Sequence, residues 1–182
     1  MSIGSDKFKF IYIRVPRTGS TTFVHYLDTT FGDHVKRVGQ QHASALELMD
    51  FWGHHWKQYH TFGFIRNPWE WMVSMYNANI SAGAGEQEPL PGRSGNGEMC
   101  RANLLFEDWL HERITTPMDW LSDEHGKLIV NEVRLFEDFV PNAKTQIGAR
   151  PHSIYHDWYN PETMKYVAEK CNREIKIGKY EF

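Results

Sequence analysis

The sequence is poor in cysteine, in long apolar runs and in excess charge, and each shortage excludes a class of protein. Cys100 and Cys171 are its two cysteines, too few for a disulfide scaffold and without a metal-ligand spacing. No apolar run approaches the roughly 18 residues that a membrane-spanning helix needs. A net charge of −3 argues against a general binder of nucleic acid or anionic membranes. We therefore expect a soluble, cytoplasmic protein with no metal and no transmembrane segment, whose anion sites are local.

The sequence also lacks the G-x-x-x-x-G-K-[ST] pattern of ordinary nucleotide hydrolases, although a related arrangement is present. The apolar run FKFIYIR predicts a buried strand over about Phe8–Val15, and "VPRTGSTTF" follows it as a turn that leads into a helix. Amides of about residues 18–22 should point out of the helix N-terminus, where the helix dipole favours an anion. The hydroxyls, the glycine and the arginine of this turn support an anion site, and a plain capped turn is the alternative.

Further strands and helices alternate along the chain. A short strand is predicted at His34–Val38, a capping box at Ser44–Glu47 opens a helix to about Trp52, and a third strand covers His60–Arg66. Pro68 then begins a further helix. This alternation predicts an α/β fold, with a three-layer α/β/α arrangement around a central parallel sheet, in which ligands bind at the carboxyl ends of the strands.

The second half of the chain is less regular. Residues 81–99 are rich in glycine and proline, which predicts a flexible loop within a single domain spanning 1–182. Helical spacing returns at Phe106, and "KLIVNEVRLFEDF" holds at least one strand. Asn160 and Pro161 begin a final helix that we expect to continue to about Ile175.

A second polar turn follows the third strand. "RNPWEWMVSMY" places Arg66 at the strand end and Ser74 eight residues later, two turns into the next helix. An arginine and a hydroxyl so placed can bind a phosphate, because the guanidinium offers a bidentate fork. Taken alone, Arg66 is better explained by a buried ion pair with a carboxylate.

Together the two turns resemble the phosphate motifs of sulfotransferases that use 3′-phosphoadenosine 5′-phosphosulfate (PAPS). "VPRTGSTTF" is similar to their 5′-phosphosulfate loop and "RNPWEWMVSMY" to their 3′-phosphate motif, closest to the carbohydrate-type branch. The resemblance continues in the same order through "QQHASALELMD", "WLSDEHGKLIVNEVRLFEDF" and the C-terminal segment, and so covers most of the chain. It implies a P-loop nucleotide-binding-like fold.

The resemblance also implies roles for individual residues. The 5′-phosphosulfate would be held by Arg17, Thr18, Gly19, Ser20, Thr21 and Thr22. Arg66 and Ser74 would hold the 3′-phosphate, with Arg17 also acting in catalysis. The acceptor would be a hydroxyl of a carbohydrate or other small polar molecule, and the product 3′-phosphoadenosine 5′-phosphate (PAP), with no metal required.

A base is needed to take the proton of the acceptor hydroxyl, and His42 is the best candidate among ten histidines. It lies two residues before Ser44, the predicted helix cap, and a positive helix end disfavours the protonated imidazole. His42 also matches a family histidine that resembles a catalytic base. A capping or surface histidine is the alternative.

The chain departs from the family pattern at three places. Arg17 replaces the usual lysine, Trp71 stands where a second arginine is common, and the segment between Phe139 and Tyr155 is short, so Arg150, His152 and Ser153 are weak candidates for nucleotide contacts. These departures favour an alternative, a module that binds PAPS or PAP without turnover. An atypical P-loop kinase is the other alternative, but the missing Walker lysine counts against it.

Overall fold

The computed structural model describes residues 1–82, 105–112, 115–139 and 155–182 and divides the chain into two compact units. The first unit comprises Met1–Ile65 and Pro117–Ala149, and the second comprises Arg66–Thr116 and Arg150–Phe182. The strands are β1 (Ser2–Ser5), β2 (Phe10–Ile13), β3 (Lys36–Val38), β4 (His60–Ile65) and β5 (Glu132–Leu135). The helices are α1 (Ser20–Phe31), α2 (Ala45–Trp52), α3 (Pro68–Ala82), α4 (Phe106–Glu112), α5 (Phe136–Phe139), α6 (Pro161–Lys170) and α7 (Asn172–Gly178).

A five-stranded sheet in the order β3-β1-β2-β4-β5 forms the centre of the first unit. Strand β4 is parallel to both β2 and β5, with Tyr12 opposite Phe62 and Gly63 opposite Val133. The predicted α/β fold with a parallel centre is therefore confirmed. The carboxyl ends of β2 and β4 lie at the same edge of the sheet, where the sequence predicted ligand binding.

Strand β1 was not predicted, because its sequence "SIGS" is polar and follows the first methionine. It runs antiparallel to β2 and β3, so the sheet is mixed rather than wholly parallel. Its two serines are buried and hydrogen bonded: Ser5 Oγ donates to the carbonyl of His34 at 2.6 Å, and Ser2 Oγ accepts from the Arg14 amide at 3.0 Å. These partners make a buried polar strand stable.

Helical segments cover both faces of this sheet. On one face, Phe23 of α1 packs against Tyr12 and Phe64, with ring centroids 4.7 and 4.8 Å apart. On the other face, Leu121 of the 3-10 segment Pro117–Leu121 lies against Gly63. The predicted three layers are thus present within the first unit.

The second unit is built on helix α3. Its apolar side chains Trp69, Met72, Val73 and Tyr76 are buried. The indole Nε1 of Trp69 donates to the Met164 carbonyl at 3.1 Å, which ties α3 to α6. Helix α3 continues through Ala82, so the first two residues of the predicted loop at 81–99 are helical, and the other residues of that prediction lie outside the described residues.

The C-terminal helix is shorter than predicted. Asn160 caps α6 through a reciprocal pair of hydrogen bonds with Thr163, as the sequence indicated. At Cys171, however, the backbone takes φ −102° and ψ 26°, outside the helical region, and a separate helix α7 follows. The amide of Cys171 still donates to Val167 and its carbonyl still accepts from Ile175, so the chain bends without losing its hydrogen bonds.

Candidate active site

The turn between β2 and α1 has the geometry that an anion site requires. Two of its residues adopt left-handed backbone conformations, Arg17 at φ 58° and Gly19 at φ 66°. A left-handed arginine is rare, costs on the order of 1 kcal/mol or more, and is typical of functional turns. The first intrahelical hydrogen bond runs from the Phe23 amide to the Gly19 carbonyl at 3.0 Å. The amides of residues 20–22 therefore precede the helical ladder and point out of the helix N-terminus.

Glycine is required at position 19 for two independent reasons. Its positive φ is costly for any residue with a side chain. In addition, a Cβ built there would lie 2.3 Å from the Phe136 ring. Phe136 begins α5, in the "LFEDF" segment far along the chain, and is buried. The close approach of this ring to the turn was not predicted from the sequence.

The hydroxyl groups of the turn divide into two sets. Thr18 is fully buried, and its Oγ1 donates to the Val15 carbonyl at 2.9 Å, so this proton is used within the turn. Ser20 Oγ and Thr21 Oγ1 instead accept hydrogen bonds from the Arg14 guanidinium, at 3.2 and 3.0 Å. Arg14 was not singled out in the sequence, although a strand-end arginine is the signal that identified Arg66.

The stretch from Arg14 to Leu27, which forms the turn and most of α1, is positively charged. It contains Arg14 and Arg17 and no acidic residue. Burial raises the pKa of Tyr12, and the Arg14 charge and the Thr18 hydroxyl offset that effect only in part, so Tyr12 is a neutral phenol under the turn. Arginines, amides and hydroxyls without a carboxylate form a donor set that fits a phosphosulfate group.

His42 lies in the same unit and is joined to this turn. Its Nδ1 bonds to the Arg14 carbonyl at 3.0 Å. Because a carbonyl oxygen can only accept, this bond selects the Nδ1–H tautomer, and in the neutral ring the Nε2 then carries a lone pair that can take a proton.

Several contacts hold His42 in place. It has a left-handed backbone, at φ 56°, and only 4% of its surface is exposed. Its carbonyl accepts from Trp120 Nε1 at 3.1 Å. The capping box of Ser44 and Glu47 begins α2 two residues later, as predicted. A surface histidine is therefore excluded, because the ring is buried and hydrogen bonded.

The residues predicted to bind the 3′-phosphate lie in the second unit. Arg66 directly follows β4, and its Nη2 forms an ion pair with Glu70, one turn into α3. Asn67 Oδ1 accepts from the amides of Trp69 and Glu70 at 3.1 and 3.3 Å and so caps this helix. Ser74 lies two turns into α3 and is buried. The ion pair that the sequence left open as an alternative for Arg66 is present.

Other candidates fall elsewhere. Arg150, His152 and Ser153 lie outside the described residues. Within the described residues, no cluster of three or more histidines, cysteines, aspartates or glutamates could hold a metal ion. No helix in that part of the chain is long and apolar enough to cross a membrane.

One comparison with known proteins gives a match, and it agrees with the fold. The sulfotransferase family matches residues 2–174, a span that includes the turn after β2, His42 and the start of α3. No curated protein and no solved structure matched the chain. Since the match covers nearly all of the 182 residues, and since the α/β sheet and the turn agree with it, the chain belongs to the sulfotransferase family, whose fold is P-loop-like.

Proposed function

We propose that this protein transfers a sulfuryl group from PAPS to a hydroxyl of a carbohydrate or another small polar acceptor. The observation that carries the proposal is the turn after β2, which combines a left-handed Arg17, a glycine under the Phe136 ring and a helix start without acidic residues. Family membership supports sulfuryl transfer in general. The donor and the acceptor class are part of the proposal.

The turn would hold the 5′-phosphosulfate. Arg17 would supply a fixed positive charge, and the amides and hydroxyls of residues 20–22 would supply donors, with Gly19 allowing close approach. Thr18 would act mainly through its amide, because its hydroxyl proton is donated to Val15. Such preorganised donors stabilise the negative charge that builds up on the leaving phosphate during transfer.

His42 would act as the base. Its Nε2 would take the proton that the acceptor hydroxyl loses as the acceptor oxygen bonds to sulfur, while PAP leaves with the electron pair of the broken sulfur–oxygen bond. The hydrogen bond from Nδ1 to the Arg14 carbonyl supports this role, since it fixes the ring relative to the turn.

The 3′-phosphate would be held by Arg66 and Ser74. This group distinguishes PAPS from ATP-like nucleotides, so these two residues would provide donor selectivity.

A second candidate, binding of PAPS or PAP without turnover, is favoured by one observation. Trp71, at the place where the family commonly has a second arginine, is fully buried in α3 and carries no charge. The 3′-phosphate site thus has one cation fewer than usual, and Arg17 stands in place of lysine in the 5′ loop.

Ligand-dependent stability tests the donor site. At about one hundred times its dissociation constant, PAP should add roughly 2.7 kcal/mol to the free energy of unfolding. AMP and ATP should add much less, and Arg66→Ala should remove most of the PAP effect. Arg134→Ala is the matched control, because Arg134 also pairs with a carboxylate, Glu132, but lies on β5. Equal stabilisation by ATP would contradict the proposal and support a kinase-like nucleotide site.

Turnover then separates the two candidates. We expect PAP to be released from PAPS in the presence of a carbohydrate acceptor, with the acceptor gaining the mass of a sulfuryl group. If the wild-type protein binds PAP but releases none, and Arg17→Lys restores release, the protein is a binding module whose loop has lost its lysine.

A further inference from the structure

Arg14 holds a central place in the turn. Its amide donates to Ser2 Oγ on β1 at 3.0 Å, and its carbonyl accepts from His42 Nδ1 at 3.0 Å. The backbone of Arg14 is therefore fixed on both sides, by the sheet and by the proposed base. These two hydrogen bonds also fix the Cα from which the Arg14 side chain extends.

From that point the guanidinium reaches forward to the start of α1. The Nε donates to Ser20 Oγ at 3.2 Å, and the Nη2 donates to Thr21 Oγ1 at 3.0 Å. Ser20 is buried and Thr21 is exposed, so the planar group spans the edge of the helix start. Two donors at a fixed spacing suit this task, and lysine does not offer them.

The direction of these bonds has a chemical consequence. A guanidinium can only donate, so in both bonds the hydroxyl oxygen is the acceptor. Each hydroxyl proton must then point away from Arg14. Both side chains become oriented donors, which is the state needed to bind an anionic oxygen at the helix N-terminus.

We propose that Arg14 is a positioning residue that orients the hydroxyl groups of Ser20 and Thr21 as donors toward the 5′-phosphosulfate. This inference rests on the proposed function, because it assumes that the turn holds that group. The role is carried by the side chain alone. Substitution of the side chain leaves the carbonyl that binds His42 in place.

The test compares two nucleotides that differ only in the 5′-phosphate. Dissociation constants for PAP and for adenosine 3′-phosphate are measured by titration calorimetry on the wild-type protein and on Arg14→Met. Hydrogen bonds to a charged group are worth about 1.5–3 kcal/mol, so loss of one oriented donor or more should weaken PAP binding by roughly tenfold or more. Binding of adenosine 3′-phosphate should change by less than about twofold.

A double-mutant cycle separates orientation from direct contact. In a Ser20→Ala/Thr21→Val background there are no hydroxyls to orient, so Arg14→Met should then change PAP affinity by less than about twofold. Arg14→Lys should give an intermediate loss in the wild-type background, because it keeps the charge but not the fork. It also provides a folded variant if Arg14→Met is unstable, with the circular dichroism spectrum as the check.

Three results would overturn the inference that Arg14 orients the two hydroxyls. An equal loss of PAP affinity in both backgrounds would overturn the inference in favour of direct contact between Arg14 and the phosphate. An equal loss for both nucleotides would overturn it in favour of a general effect on folding. If the wild-type protein fails to prefer PAP over adenosine 3′-phosphate, the proposed 5′ site itself fails, and this inference fails with it.

Discussion

Two strand-end arginines, one in each unit, have opposite surroundings. Arg14 directly follows β2 in the first unit and binds two neutral hydroxyls. Arg66 follows β4 in the second unit and binds the carboxylate of Glu70. The partners of Arg14 are therefore groups that can themselves donate to an incoming anion, whereas a phosphate at Arg66 must compete with a carboxylate.

The difference is consistent with the two roles that we propose. In the proposed function, the turn and the buried His42 of the first unit hold the transferred group and take the proton, whereas the arginine and the buried serine at the start of α3 bind the 3′-phosphate beside a competing acid. Substitution of His42 should therefore change the rate of sulfuryl transfer, and substitutions at the start of α3 should change affinity.

The largest expected effect is on catalysis, from His42→Asn. Asparagine tolerates the left-handed backbone, and its amide can still donate to the Arg14 carbonyl, but it cannot take a proton. We expect kcat to fall by about 10² to 10⁴ and PAP affinity to change less than about threefold, as measured by PAP release and by calorimetry.

His25→Asn is the matched control, because His25 is an exposed histidine on α1. His25→Asn should leave both kcat and PAP affinity unchanged. An unchanged kcat in His42→Asn would contradict the role of His42 as the base, and with it the assignment of proton transfer to the first unit.

A smaller but still large effect is expected on stability, from Gly19→Ala. The left-handed φ and the collision with Phe136 together should lower the free energy of unfolding by about 2–5 kcal/mol. Urea unfolding measures it. Gly32→Ala reports backbone strain without a collision, since Gly32 has φ 52° and ψ −130°, a conformation that only glycine adopts readily, and nothing lies within 4 Å of its added Cβ. A loss below about 1 kcal/mol in Gly19→Ala would show that neither the left-handed φ nor the Phe136 contact constrains position 19.

A moderate change in affinity is expected from Glu70→Gln. Removing the carboxylate leaves Arg66 with a neutral neighbour, so PAP should bind about three- to tenfold more tightly, while AMP, which lacks the 3′-phosphate, should bind as before. Titration calorimetry with both nucleotides measures this. Weaker PAP binding in Glu70→Gln would mean that Glu70 orients Arg66 instead of competing for it.

The smallest effect is expected at the exposed ion pair of Asp28 and Arg37. Their side chains are 39% and 40% exposed, against 29% and 12% for Glu70 and Arg66. The hydrogen bond from Arg37 lowers the pKa of Asp28 in the folded protein. The pair therefore adds stability above the unfolded pKa of about 3.9, and this contribution is lost as pH falls through the folded value.

Solvent screening keeps that contribution below about 1 kcal/mol. The free energies of unfolding in urea of the wild-type protein and Arg37→Met should differ by this amount at pH 7 and converge as the pH falls through the folded pKa of Asp28. A difference that persists once Asp28 is protonated would point to packing of the Arg37 side chain rather than to its charge.

The fold was largely predictable, because β2 and β4 are short apolar runs and α2 and α6 begin with recognisable caps. Strand β1 was missed because a serine- and glycine-containing segment is stabilised only by partners distant in the sequence, the carbonyl of His34 and the amide of Arg14. The bend at Cys171 was missed because the apolar spacing continues across it.

The residues of the candidate site that lie close together in the sequence were predictable. The hydroxyls, Gly19 and Arg17 lie within one short stretch, and His42 was found through the adjacent capping box. Their roles in binding and catalysis remain predictions. The direction of the Arg14 side chain and the approach of Phe136 could not be predicted, because no sequence spacing determines either contact.

The contact between Gly19 and Phe136 also constrains the order in which the protein folds. Strand β2, the turn and α1 leave the ribosome well before Phe136, which is synthesised more than a hundred residues later. Closing so long a loop is slow and entropically costly. The nascent chain can therefore form the sheet around β2 well before the turn is locked, and the capacity to bind an anion should be acquired among the last steps of folding.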